Sequence, residues 1–297
     1  MNIADKLVAD WKNKGAFVKV KNQQLFVIDT KENSKPVLVI LHGYPSSSFD
    51  FYKILYQLKQ YFRVIIHDHL GFGLSDKPLN YSYSLKEQAD YAIALWQQLS
   101  IRKAHLLAHN YGTSVATEIL ARRALKELPI TIETVSLTNG SVHIEMAQLR
   151  LIQKMLRNKF TGPIVAKLGS EFIYVQQMKR LWYKRSEVNE EELKALWQMG
   201  SQGNGRKVLP KITQYLNERY LYWDRWIGAL KSLDIPTHII WAKNDPVSVL
   251  KIGETLAAEI PTAKLSIIDQ CGHYPMLEKS DNFANMFLMF IKDYANV

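Results

Sequence analysis

Hydrophobic positions recur along this chain in two rhythms. Short β-branched or aliphatic runs, AFVKV (16–20), QLFVID (24–29), PVLVILHG (36–43), FRVIIHD (62–68), KAHLLAH (103–109), TVSLTN (134–139), THIIWA (237–242) and KLSIID (264–269), have the length and composition of strands. The first two sit close enough to form a hairpin. Helical periodicity fills 48–60, 84–99 and 112–125 between the later runs, and Ser84 followed by Glu87 reads as a capping box at the start of the second. After Asn139–Gly140 the rhythm changes. Residues 141–224 are helical in pattern, rich in aromatic and basic side chains, and without a strand signal. Alternation resumes at 237, and a helix from about residue 280 closes the chain. Near-continuous apolar runs alternating with helices predict an α/β fold, a mostly parallel eight-stranded sheet with flanking helices. The core would comprise 1–140 and 225–297, with 141–224 as a helical cap inserted after the sixth strand. The aromatics of that segment would pack its own interior or line an apolar pocket.

Composition narrows the class. The apolar fraction of 47% against 22% charged residues suits a globular chain with a sizeable core. The longest apolar run is far short of a membrane span, so no transmembrane segment is expected. The first fifteen residues mix acids and bases without an apolar stretch, which predicts no secretory signal. A single cysteine, Cys271, excludes an internal disulfide framework and points to a reducing compartment, the cytoplasm by default. The net charge of +10 comes from bases interleaved with acids, as in KEQAD and NERYLYWDR, which argues for a solvated basic surface and no nucleic-acid partner. The denser basic stretch at 150–225 is the one region where an anionic partner stays open.

The chemistry concentrates in four places. In LLAHNYGTSVA a buried strand runs directly into a helix through Ala108-His109-Asn110-Tyr111-Gly112, the small-x-nucleophile-x-Gly spacing of a strained elbow. Asparagine is among the few non-glycine residues that tolerate positive φ there. His42-Gly43-Tyr44-Pro45 follows the third strand, where the backbone amides of Tyr44 and Tyr111 would converge on one oxygen as an oxyanion hole. Asp245, just beyond THIIWA, and His273, just beyond KLSIID, complete a chain order of nucleophile, acid, histidine. The acid would fix the tautomer of His273 and leave Nε2 as a base. Asn139 and Glu145 form the alternative acid region. Metals and organic cofactors are not implied: there is no clustered ligand set, and Gly71-Phe72-Gly73 reads as a turn.

At this point the chain resembles the epoxide hydrolase and haloalkane dehalogenase branch of the α/β-hydrolase fold, and within it the mesoderm-specific transcript proteins. The matching stretches are LHGYPSSSFDFYK, HLGFGLSDKP, LLAHNYGTSVATEIL, SLTNGS, RWIGALKSLDIP, NDPV and GHYPMLE. The aromatic third residue of HGYP is closer to epoxide hydrolases, and Tyr111 stands where both groups commonly carry Trp. The resemblance implies an α/β-hydrolase fold and a small apolar molecule as substrate or ligand. It implies tyrosines over the pocket as proton donors, with Tyr174, Tyr183, Tyr215 and Tyr220 as candidates. His42 and His109, beside the oxyanion loop and the elbow, join Tyr174, Tyr183 and Tyr215 as candidate substrate contacts. The branch uses an aspartate nucleophile whose carboxylate forms an alkyl ester that histidine-activated water then cleaves. Here the position is Asn110, a neutral amide. Three explanations stand: an introduced Asp→Asn replacement that traps substrate, a natural loss of the nucleophile in a silent binding protein, or direct delivery of water by His273 and Asp245. The oligomeric state, a homodimer included, stays open.

Overall fold

The structure, a computed structural model, describes residues 2–295. Its strands are β1 (Ala16–Val20), β2 (Gln23–Asp29), β3 (Val37–Leu41), β4 (Arg63–His67), β5 (Lys103–His109), β6 (Thr131–Thr138), β7 (Thr237–Ala242) and β8 (Ala263–Ile268). The helices are α1 (Ile3–Lys14), α2 (Leu55–Leu58), α3 (Leu85–Gln98), α4 (Tyr111–Ala124), α5 (Leu151–Arg157), α6 (Thr161–Leu168), α7 (Glu171–Lys179), α8 (Glu190–Ser201), α9 (Gly205–Ile212), α10 (Tyr215–Leu221), α11 (Trp223–Lys231), α12 (Leu250–Glu259), α13 (Pro275–Glu278) and α14 (Ser280–Lys292).

All eight strands join one sheet in the order β1-β2-β4-β3-β5-β6-β7-β8. β1 and β2 form the hairpin, β2 runs antiparallel to β4, and the remaining neighbours are parallel. The central strands read as unbroken Val, Ile and Leu because both faces are covered. One face packs Trp96, Val115, Ile119, Leu230 and Leu256 beneath α3, α4, α11 and α12. The other packs Trp11, Phe62, Phe287 and Ile291 beneath α1 and α14. The edge strands β1 and β8 are partly exposed and carry outward lysines, Lys19 and Lys264, which blunt edge pairing. Helices α5 to α10 all lie between β6 and β7. The chain re-enters the core through α11, which is locked to α4 by buried Glu118, an acceptor for Arg122, Arg225 and the Trp226 indole. Among the described residues no helix is long and apolar enough to cross a membrane.

Two local expectations fail, and one helix is added to those the sequence predicts. Residues 48–60 form a 3₁₀ turn, Ser48–Phe51, and the single turn α2 in place of one helix. The Ser47 hydroxyl accepts from Phe49 N–H, and buried Asp68 accepts from Ser48 N–H, so side chains satisfy backbone groups that a helix would use. Helix α3 does start after Ser84, but the Ser84 side chain makes no capping bond. Glu87 pairs with Ser82 Oγ instead, while Leu85 N–H donates to Glu218 of α10 at 2.8 Å. Helix α1 was not expected at all. It is held by a genuine capping box, Asn2 with Asp5, and by Trp11, whose indole donates to Ser48 Oγ.

The hairpin is tied to β4 by Asp29, which accepts from Arg63 Nε and Nη2 at 3.0 and 2.7 Å and from Lys31 Nζ at 2.7 Å. Burial alone would push this carboxyl up, but the Arg63 and Lys31 hydrogen bonds outweigh it and hold the pKa at about 2, below the ordinary 3.8. A folded-state pKa below the unfolded one gives stability that is complete above about pH 4 and is lost as pH falls toward 2. With solvent screening the contribution is about 1 kcal/mol. Asp29→Asn should therefore lower urea-unfolding stability by about that amount at neutral pH, and flatten the acid limb of the stability profile. A variant profile that parallels the parent's through that limb would contradict this role.

Candidate functional site

Strand β5 delivers Asn110 to the top of the sheet, where the chain reverses into α4. Asn110 has φ 49° and ψ −106°, a strained conformation that asparagine accepts at modest cost. The helix begins so close to β3 that a Cβ on Gly112 would lie 2.2 Å from the Leu41 carbonyl oxygen, which explains the glycine. On the facing loop, a Cβ on Gly43 would strike the His109 ring and approach Asn110 Cβ at 3.0 Å.

This packing leaves the Asn110 side chain, 3% exposed, suspended between two partners. Its Oδ1 accepts from the Tyr44 amide at 3.1 Å, and its Nδ2 lies 2.5 Å from His273 Nε2. An amide nitrogen can only donate, so Nε2 is the acceptor and Nδ1 of His273 carries the proton. That proton goes to Asp245 Oδ2 at 2.6 Å. Asp245 is held in turn by the amides of Val247 and Ser248 on Oδ1 and by Asn139 Nδ2 on Oδ2 at 2.7 Å. Donors on both oxygens fix the plane of its carboxylate. Asn139, flagged as an alternative acid position, thus orients Asp245. Glu145 lies elsewhere, bonded to His143 and Trp223. Of the two amides expected to converge on one oxygen, Tyr44 N–H reaches Asn110 Oδ1. Tyr111 N–H, in the first turn of α4, makes no hydrogen bond to it among the described residues.

Above this relay lies a cavity of about 270 Å³. Tyr44, Phe72, Asn110 and His273 form one side. Leu156, Val165, Leu168, Ile173, Met178 and Trp197 of α5 to α8, with Leu209 and Ile212 of α9, form the other. The volume sits near the lower end for small-molecule pockets, and the wall is apolar with a few convergent polar groups. Tyr174 also lines it, its hydroxyl donating to the Pro45 carbonyl at 3.3 Å.

The other proposed contacts are corrected by the structure, since none of them lines the cavity. His42 turns into the strand layer, where its Nδ1 donates to Gly43 O and its Nε2 accepts from His69 N–H. His109 sits under the elbow and donates from Nε2 to the His273 carbonyl at 2.9 Å. Tyr215 is buried against Tyr44 and Tyr111, and Tyr183 is 41% exposed outside the cavity. Burial pushes the pKa of His42 and His67 down to about 3, outweighing the nearby Asp68 at His67, and pushes those of His69 and His109 well down too. These rings are neutral; His273, by contrast, donates from Nδ1 to Asp245. Among the described residues no three His, Cys, Asp or Glu side chains are placed to hold a metal.

Comparison with known proteins agrees with this fold. Residues 36–280 match the family model described as alpha/beta hydrolase fold. The chain belongs to the α/β-hydrolase fold family. The human mesoderm-specific transcript homolog protein is 35% identical over 293 residues, covering 96% of this chain and 88% of its own length. LipZ of Mycobacterium tuberculosis is 34% identical over 286 residues, covering 96% and 98%. Among solved structures, the haloalkane dehalogenase DbeA from Bradyrhizobium elkani superposes with a TM-score of 0.81 at 18% identity, over 94% of this chain and 98% of that one. At that identity the likeness concerns the fold.

Sequence reading missed one residue of this α/β-hydrolase site, Arg219 of α10. It is 1% exposed and has no carboxylate partner among the described residues. Nε donates to Ser114 Oγ at 2.7 Å, Nη2 donates to the Asn110 carbonyl at 3.2 Å, and the guanidinium sits 4.6 Å from the Tyr215 ring centroid. Burial pulls its pKa below the ordinary value. The only hint in the sequence was one arginine among the many bases of NERYLYWDR. Lysine cannot serve both acceptors from one ammonium with this fork geometry. Arg219→Lys should lower unfolding free energy by about 2 kcal/mol through the stranded buried acceptors, measured by urea denaturation. Unchanged stability would mean that the fork contributes nothing to holding the elbow.

Proposed function

We propose that this chain carries the machinery of a hydrolase of the epoxide hydrolase and haloalkane dehalogenase type, built for a small apolar substrate, with Asn110 in the nucleophile's place. Asn110, His273 and Asp245 are the reacting group, base and acid, the Tyr44 and Tyr111 amides form the oxyanion site, and residues 141–224 are the cap. The observation that carries this reading is the two-ended hold on Asn110, by Tyr44 N–H at Oδ1 and by His273 at Nδ2. A carboxylate fits the same hold. One oxygen would rest on the amide while the other attacked an sp³ carbon, displacing halide or opening an epoxide and forming an ester. Water losing its proton to His273 Nε2 would then attack the ester carbonyl, whose oxyanion develops against Tyr44 N–H, while Asp245 steadies the imidazolium. Tyr174 is the candidate tyrosine placed to protonate a departing oxygen, because it alone of the four lines the cavity.

Asn110 arrests the first of these steps. An amide nitrogen has no available lone pair, and here its N–H occupies the lone pair of the base. Each ~1.36 kcal/mol added to a barrier slows a step tenfold, so the loss amounts to orders of magnitude. A second reading, a silent binding protein, is favoured by the same bond, because Asn110 and His273 satisfy each other in a neutral, closed relay beneath an apolar cavity.

Asn110→Asp separates the two. Assayed on small epoxides, haloalkanes and esters, the variant should gain at least about a thousandfold in turnover of one class, with the parent retaining affinity for that substrate. A variant that turns over nothing, beside a parent that binds ligand tightly, would sink the hydrolase reading. In the double variant Asn110→Asp/His273→Gln, attack proceeds but water is not activated. Intact mass spectrometry should then show a stoichiometric covalent adduct. Substrate consumption without an adduct would instead mean that water attacks directly.

A further inference from the structure

The solvent face of α5 to α7 is apolar and basic at once. Leu151, Phe160, Ile164, Leu168 and Phe172 are between 60% and 73% exposed, an unusual gathering of large hydrophobic side chains within 22 residues. Their spacing puts Phe160, Ile164 and Leu168 at successive fourth positions, on one side of α6. Between residues 150 and 180 there are seven bases (Arg150, Lys154, Arg157, Lys159, Lys167, Lys179, Arg180) and one acid, Glu171. Lys154, Lys159 and Lys167 are exposed and have no carboxylate partner among the described residues. These bases are interspersed along the sequence with the exposed apolar side chains.

The same helices wall the cavity. Leu168 belongs both to the exposed set and to the cavity lining, Ile173, 41% exposed, lines the cavity as well, and Gly169 and Ser170 between them line it too. The cavity therefore reaches the surface at the α6–α7 turn, inside this patch.

The geometry points to this face as a docking surface for an anionic lipid bilayer. An amphipathic surface with bases around its apolar residues lies in the headgroup region, its hydrophobic side chains below the charges and its lysines among the phosphates. The cavity mouth then opens toward the acyl chains, and an apolar ligand dissolved there enters without crossing water. Docking does not depend on the chemistry proposed above; only the delivery of substrate rests on that reading.

Flotation of the full chain with vesicles tests it, using phosphatidylcholine alone and phosphatidylcholine with about 30% phosphatidylserine. The parent should float with the anionic vesicles and far less with the neutral ones. Removing one charge weakens such partitioning about fivefold, so Lys154→Gln/Lys159→Gln/Lys167→Gln should lower it on the order of 100-fold. Phe160→Ser/Ile164→Ser/Phe172→Ser should lower it at least about tenfold and abolish the part that survives high salt. None of these six residues lines the cavity, so ligand binding in solution should not change in either variant. The proposal is overturned by a parent that floats with neither vesicle, or by a serine variant that floats like the parent. It is equally overturned if sedimentation shows a parent dimer that the serine substitutions split, without vesicle binding, since the face would then join two copies. Flotation requires no turnover, so an inactive Asn110→Asp variant leaves its outcome intact.

Discussion

The site depends on how closely α4 approaches β3. With no side chain at Gly112, the first turn of α4 sits against the Leu41 carbonyl, and that contact fixes where the chain can turn between strand and helix. The turn then has to pass through a positive φ at Asn110, and the side chain at that point has nowhere to go but up, out of the sheet and into the cavity floor. The loop after β3 is held to the same spot from the other side, since Gly43 nests against His109 and Asn110. Two missing Cβ atoms therefore set the distance between Tyr44 N–H and residue 110 more firmly than any polar bond in the site.

On that frame the polar relay is nearly self-sufficient. Asp245 is oriented by two amides and Asn139, His273 by Asp245, and Asn110 by His273 and Tyr44. Neighbouring histidines could have competed for these protons. Their burial makes them poor bases and their backbone bonds take up several of their nitrogens, so they act as neutral packing. Asp245 and Arg219 approach the elbow from different sides, Asp245 through the His273 side chain and Arg219 through the Asn110 carbonyl.

Much of this was legible in the residues. Unbroken runs such as VLVIL and KAHLLAH identify strands covered on both faces, and the elbow spacing around Asn110 identifies the turn, because local sterics dictate both. Asp245 and His273 could be placed because each follows a strand directly. What failed depends on partners far away in sequence. The Ser84 cap is displaced because Glu218, from another helix, takes the Leu85 amide. His42 and His109 looked like pocket residues because they flank the right motifs, yet each ring turns toward a carbonyl beneath the site. Tyr183 and Tyr215 could not be told from Tyr174 without knowing which side of the helices between β6 and β7 faces the floor. Arg219 was invisible for the same reason: a solvated base and a buried one are spelled alike.

The Arg219 fork has a mechanical consequence. Helix α10 is fastened to the backbone of the very residue at the centre of the relay, so swinging α5 to α10 away as one rigid body would pull on the Asn110 carbonyl and break the bond from the Arg219 guanidinium. Movement on that side is strongly resisted. At the α6–α7 turn, Gly169 and Ser170 separate two short helices, and the Arg206 guanidinium donates to the Lys167 and Gly169 carbonyls. The backbone of Asn110 is thereby tied to α10 as well as to the strand and helix that flank it.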